Sequence, residues 1–126
     1  LDASVKHANE RAQFGQLLRK SQTVQFKIAD MATEIDAARL LILRAASLKD
    51  AGQPHTKEAS MAKLFATEAA CRWASETVLL LGSRGYVNES PVERHYRDIK
   101  GLEIYEGTSH IQRLIIGRDL VGPKED

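Results

Sequence analysis

The chain has 126 residues and a mass of 14.0 kDa, and its 43% hydrophobic and 28% charged content exclude a mainly disordered state in favour of one globular core. Eighteen Lys and Arg against seventeen Asp and Glu leave a formal net charge of +1, so nucleic acid and acidic lipid surfaces are not expected partners. The lone cysteine, Cys71, excludes an internal disulfide and a cysteine-based zinc centre, and no apolar run nears the roughly 20 residues of a membrane span.

The chain opens Leu1-Asp2-Ala3-Ser4 with neither an initiator Met nor a signal-peptide pattern, and reads as a piece of something longer. From Ser4 to Phe14 the spacing of Val5, Ala8 and Ala12 predicts a helix that ends at Gly15. A long helix is predicted from Ser21 to Gly52, with Val24, Ile28, Met31, Ile35, Ala38, Ile42 and Ala45 inward and Leu40, Leu41 and Leu43 widening that stripe. Gly52 and Pro54 stop it. A second long helix is predicted from Thr56 to Leu81, where an alanine-rich face of Ala62, Ala66, Ala69, Trp73, Thr77 and Leu80 suits close packing. Gly82-Ser83-Arg84-Gly85 then reads as a helix end and turn. Ser90-Pro91-Val92-Glu93 is a capping box that starts a short helix to about Ile99. Ser109-His110-Ile111-Gln112 reads as a second capping box, for a last helix with Ile111, Leu114, Ile115 and Leu120 inward. No segment alternates long enough to predict a strand. The expected fold is all-α, an antiparallel up-down bundle of three or four main helices with a short extra one.

Chemistry has few places to sit. His7, His55, His95 and His110 include no pair at ligand spacing, which argues against a metal centre and leaves each as a surface or partner-contacting residue. Cys71 reads as a small buried hydrophobe. Two stretches stand out. Glu106 precedes a glycine and a helix N-terminus, where a carboxylate can face a cavity. Arg11 and Phe14 lie just before a turn, where a guanidinium can grip phosphate and a ring can cover a ligand. Alone, the first is more often a solvated loop glutamate and the second an ordinary helix end with a solvated arginine.

Together the motifs resemble the C-terminal helical domain of the acyl-CoA dehydrogenase family over the whole chain. Glu10-Arg11-Ala12-Gln13-Phe14-Gly15 is similar to the family's E-R-x-Q-F-G, followed by Ser21-Gln22 and Ile28-Ala29-Asp30-Met31. Leu81-Gly82-Ser83-Arg84-Gly85-Tyr86 is similar to L-G-G-x-G-[FY]. Pro91-Val92-Glu93-Arg94 with Arg97-Asp98 resembles V-E-R-x-x-R-D, and Ile104-Tyr105-Glu106-Gly107-Thr108-Ser109 with Gln112-Arg113 is the most specific match. Leu79 departs from a common glutamine, Ser83 from the second glycine of the pair, and His110 from a Gln or Glu.

The resemblance implies that Glu106 is the base that removes the α-proton of an acyl-CoA thioester while the β-hydrogen leaves as hydride to FAD. Such a proton is weakly acidic, so the family's base must be held in place and desolvated by substrate. It further implies that Tyr105 and Gly107 border the substrate, and that Arg11, Phe14, Gln22, Gly82, Ser83, Thr108 and His110 contact FAD, some across a subunit interface. A homodimer or homotetramer is implied, passing electrons to an electron-transfer flavoprotein, in the bacterial cytoplasm or the mitochondrial matrix. An oxidase-like flavoenzyme, or a silent helical scaffold for oligomerisation, are the alternatives. Residues 1–126 are expected to be the C-terminal domain of a longer chain and, alone, neither to bind FAD tightly nor to turn over substrate.

Overall fold

The computed structural model describes residues 1–122. Six helices are present among them: α1 (Asp2–Glu10), α2 (Gln22–Asp50), α3 (Thr56–Leu81), α4 (Ser83–Tyr86), α5 (Pro91–Leu102) and α6 (Ser109–Val121). The all-α bundle is therefore as expected. α2 and α3, joined by residues 51–55, form its central antiparallel pair; α5 and α6 lie against α3, and α1 bridges α2 and α3. No described helix is long and apolar enough to cross a membrane.

Where two local signals agree, the boundaries follow the sequence. α3 spans the predicted residues. α2 ends in a Schellman motif, with Gln53 N–H donating to Leu48 C=O at 2.9 Å and Gly52 N–H to Lys49 C=O at 3.0 Å. Ser90 caps α5, its Oγ accepting from Val92 N–H at 3.2 Å, and the helix continues to Leu102 rather than ending near Ile99.

Four expectations are corrected. The first helix stops at Glu10, not Phe14, and the chain turns into a minimal hairpin, β1 (Ala12–Gln13) paired antiparallel with β2 (Gln16–Leu17). Its two-residue turn, Phe14-Gly15, has φ of 50° and 79°, the positive pair that a type I′ turn requires. The last helix is capped by Thr108 instead of Ser109, since the Thr108 Oγ1 accepts from Ile111 N–H at 3.4 Å. His7 is buried rather than on the surface; Ser4, His7 and Ala8 form the inner face of α1, and the Ser4 and Thr77 hydroxyls share a 3.2 Å hydrogen bond.

The fourth correction concerns apolar faces. Val24, Met31 and Ala45 of α2 are buried, but Leu40, Ile42 and Leu43 are at least half exposed. On α6 only Ile115 of the expected face is partly covered; Ile111, Leu114 and Leu120 are exposed, and Gln112 is buried in their place. Among the described residues no neighbouring helix covers these exposed side chains, so periodicity located the stripes without saying how much of each is covered.

Candidate active site

The residues singled out by sequence fall into two groups at opposite ends of α3. Around its first half lies the loop Ile104–Thr108 that joins α5 to α6. Glu106 has φ of 56° and Gly107 of 92°, two successive left-handed residues. A non-glycine residue in that region costs about 1–3 kcal/mol, so neighbouring groups must hold it. Two side chains do. The Lys63 ammonium, from α3, donates to the carbonyl of Tyr105 at 2.9 Å and also to that of Gly107. The Gln112 amide, from α6 and only 6% exposed, donates to the carbonyls of Gly107 at 3.2 Å and Glu106 at 3.4 Å. The φ of Gly107 is one that L side chains rarely adopt, and a Cβ there would also stand 2.7 Å from the Gln112 Nε2, so any substitution strains the loop and displaces that amide.

This backbone geometry leaves the Glu106 side chain exposed and, among the described residues, without a hydrogen bond or ion pair. Tyr105 is exposed with its ring against Gly101, Gly107 is half-buried, and His110 is exposed in the first turn of α6. Because the Thr108 hydroxyl accepts the cap bond, its own hydrogen remains free to donate outward.

The second group lies at the far end. Leu81 is eighteen residues beyond Lys63 on α3, roughly 27 Å along the helix axis. There an open cleft of about 550 Å³ is lined by Arg11, Gly82 and Ser83 together with His7, Lys27 and Arg84, and its lining contains no carboxylate. Lys27 is paired with Glu76, whereas Arg11 and Arg84 carry no ion pair among the described residues. Phe14 and Gln22 do not line it: the Phe14 ring projects fully exposed from the hairpin tip, and Gln22 is exposed in the first turn of α2. Two unpaired guanidiniums facing a cleft without acidic walls suit an anionic group such as a pyrophosphate.

Burial holds His7 neutral, and the Arg84 and Arg11 guanidiniums act in the same direction, so its pKa lies below the free-imidazole value of 6.5. The unfolded chain then takes up a proton that the folded chain refuses, and stability falls as pH drops below that value. The expected result is a lower urea midpoint at about pH 5.5 than at about pH 7.5, with a smaller difference in His7→Gln. Equal pH slopes in the two proteins would exclude the assignment.

The apolar groove of about 570 Å³ beside Met31, Ile35, Ala69, Trp73 and Val92 contains none of the predicted site residues. Its carboxylate, Glu34, is held by Arg72 and by the Trp73 Nε1–H at 2.5 Å, so it is not available as a base. Cys71 is partly covered; burial, then Glu103, push its thiol pKa up, which disfavours the reactive thiolate.

The family model described as the acyl-CoA dehydrogenase C-terminal domain matches residues 1–121. The chain belongs to the acyl-CoA dehydrogenase family. It is 54% identical over 121 residues to a probable acyl-CoA dehydrogenase of Bacillus subtilis, covering 96% of this chain and 32% of that protein. The mitochondrial short-chain specific acyl-CoA dehydrogenase of Bos taurus is also 54% identical, over 96% of this chain and 29% of its own length. The solved structure of butyryl-CoA dehydrogenase from Megasphaera elsdenii superposes with a TM-score of 0.93 at 42% identity, over 95% of this chain and 31% of that one. The chain thus spans about a third of the length of these family members.

Lys63 and Gln112, which hold the loop, and His7 and Arg84, which line the cleft, are the residues of the two candidate groups that sequence reasoning missed. The one available signal for Lys63 was a lysine flanked by Ala62 and Leu64 at the margin of a packing stripe, where a charge needs an internal partner. Gln112 looked like the last member of a capping box, but its amide reaches the loop carbonyls instead.

Proposed function

We propose that this chain is the base-bearing part of an FAD-dependent acyl-CoA dehydrogenase that introduces an α,β double bond into an acyl-CoA thioester. Family membership carries the reading, with Glu106 at the glutamate of the family's Y-E-G-T motif. The exposed Glu106 carboxylate takes the α-proton onto an oxygen, and the electron pair of that C–H bond becomes the new double bond. Tyr105 and Gly107 border the thioester. Arg11, Gly82 and Ser83, which line the cleft between α1 and the end of α3, would hold the anionic part of the cofactor, and the exposed Phe14 and Gln22 would contact a neighbouring subunit's cofactor. Thr108, with its free hydroxyl hydrogen, and His110 would contact the flavin end of the cofactor. When bound, FAD supplies the acceptor for the β-hydrogen, which leaves as hydride.

The roughly 27 Å of α3 that runs from Lys63 beside one group to Leu81 beside the other supports the view that they serve different copies of the site in a homodimer or homotetramer. The exposed apolar residues of α6 offer surface for such contacts. An electron-transfer flavoprotein is the proposed oxidant of the reduced enzyme. The bacterial cytoplasm or the mitochondrial matrix is the proposed location, matching the bacterial and mitochondrial relatives. Alone, residues 1–126 are expected to hold FAD weakly, because the cleft is open and other parts of a full-length chain would close it.

The test is to supply the full-length, FAD-loaded enzyme with butyryl-CoA and a panel of longer, branched and dicarboxylic acyl-CoA thioesters. Formation of the 2-enoyl thioester with an electron-transfer flavoprotein as acceptor is the expected result. Stoichiometric peroxide release would identify an oxidase instead, and absence of any enoyl product across the panel would sink the reading.

A further inference from the structure

Three successive carbonyls, those of Tyr105, Glu106 and Gly107, point at two side chains from different helices. The division of labour follows from backbone geometry. The peptide plane before Glu106 contains the Tyr105 carbonyl, which Lys63 holds at 2.9 Å. The plane after it contains the Glu106 carbonyl, which Gln112 holds at 3.4 Å. Fixing both planes fixes the two backbone torsions of Glu106, and these set the direction in which its Cβ leaves the chain. The longer, weaker bond belongs to Gln112, so the charged donor supplies most of the restraint.

We propose that Lys63 is a positioning residue of this site, holding Glu106 in its left-handed conformation so that the carboxylate faces the substrate α-carbon. This rests on the reading of Glu106 as the base. Lys63 acts only through the loop backbone. It is itself set by its helix, where its carbonyl accepts from the Thr67 hydroxyl at 2.9 Å. Docking of α6 onto α3 does not depend on it, since Arg113 pairs with Glu68 at 2.7 Å and Lys57 with Asp119 at 2.8 Å on either side. Removal of the ammonium therefore frees the Tyr105–Glu106 peptide while leaving α6 in place. Glu106 then relaxes toward negative φ, and its carboxylate swings away from its mark.

The experiment compares Lys63→Met, Lys63→Arg and Glu106→Gln in the full-length, FAD-loaded enzyme, with its best acyl-CoA thioester as substrate. Displacement of a catalytic group by about 1 Å costs roughly a hundredfold, so Lys63→Met is expected to lower kcat by about 10- to 100-fold with KM and flavin content little changed. Lys63→Arg, which keeps two donors, restores much of the rate. In the Glu106→Gln background Lys63→Met adds little further loss, because it acts through the group already removed. A Lys63→Met enzyme with wild-type kcat overturns the proposal, as does an equal loss in both backgrounds. If Lys63→Met yields no flavin-loaded protein, Lys63→Gln, with a donor for one carbonyl, takes its place; failure of that variant to fold assigns Lys63 to the fold and overturns the proposal. Wild-type turnover by Glu106→Gln removes the base assignment itself, whereas an inactive Glu106→Gln beside a fully active Lys63→Met removes the positioning role alone.

Discussion

Glu106→Gln in the full-length enzyme is expected to cut dehydrogenation by about 10²- to 10⁴-fold or more, the usual contribution of a positioned general base. The replacement keeps the size of the side chain and removes the basic oxygen. Nothing in the fold depends on that carboxylate, which is exposed and, among the described residues, unpaired, so binding and stability should persist. The measurement is kcat and KM for the best acyl-CoA thioester, beside the flavin absorbance and urea midpoint. A fall in kcat at constant KM, with both controls unchanged, is the expected pattern. Retention of more than about a tenth of the rate would assign proton removal to another group.

The largest expected change in stability comes from Met31→Ala. Met31 is 2% exposed, on the face of α2 that meets α3, and it also forms part of the wall of the apolar groove. Truncating a buried Met costs about 2–5 kcal/mol, because the lost transfer energy is joined by the cost of the space left behind. Here that space opens onto the groove, whose small alanine neighbours, Ala66, Ala69 and Ala70, cannot collapse into it. Met31→Leu, nearly equal in volume, should cost less than about 1.5 kcal/mol. Urea denaturation is the measure: a lower midpoint with an unchanged slope for alanine, and a small shift for leucine. A destabilisation below about 1 kcal/mol for Met31→Ala would show that this part of α2 is not anchored through Met31.

Much of the architecture was legible along the chain, for reasons that differ by element. α3 is readable from end to end because its small-residue stripe runs for seven turns between Pro54 and Gly82. The start of α5 is readable because Ser90 and Pro91 each satisfy a separate demand of a helix N-terminus. The hairpin after α1 was not: two-residue strands are too short to show a period, and only Phe14-Gly15 hints at the turn. The cap of α6 was misplaced by one residue because Thr108 and Ser109 are both good caps, and backbone direction alone selects between them. On α6 the apolar stripe was visible but its burial was not, since burial depends on what lies opposite.

The candidate site divides the same way. The motif around Glu106, the helices flanking it and the near-neutral charge of the chain are legible without the tertiary fold, because they are set by local sterics, capping and composition. The direction of the Glu106 side chain is not local. It depends on an ammonium that lies 42 to 44 residues away in sequence from the carbonyls it holds, and on a glutamine that a local rule had assigned to a cap. Such contacts exist only once α3 and α6 have packed side by side, because a left-handed glutamate is unfavourable until hydrogen bonds from both helices offset its cost.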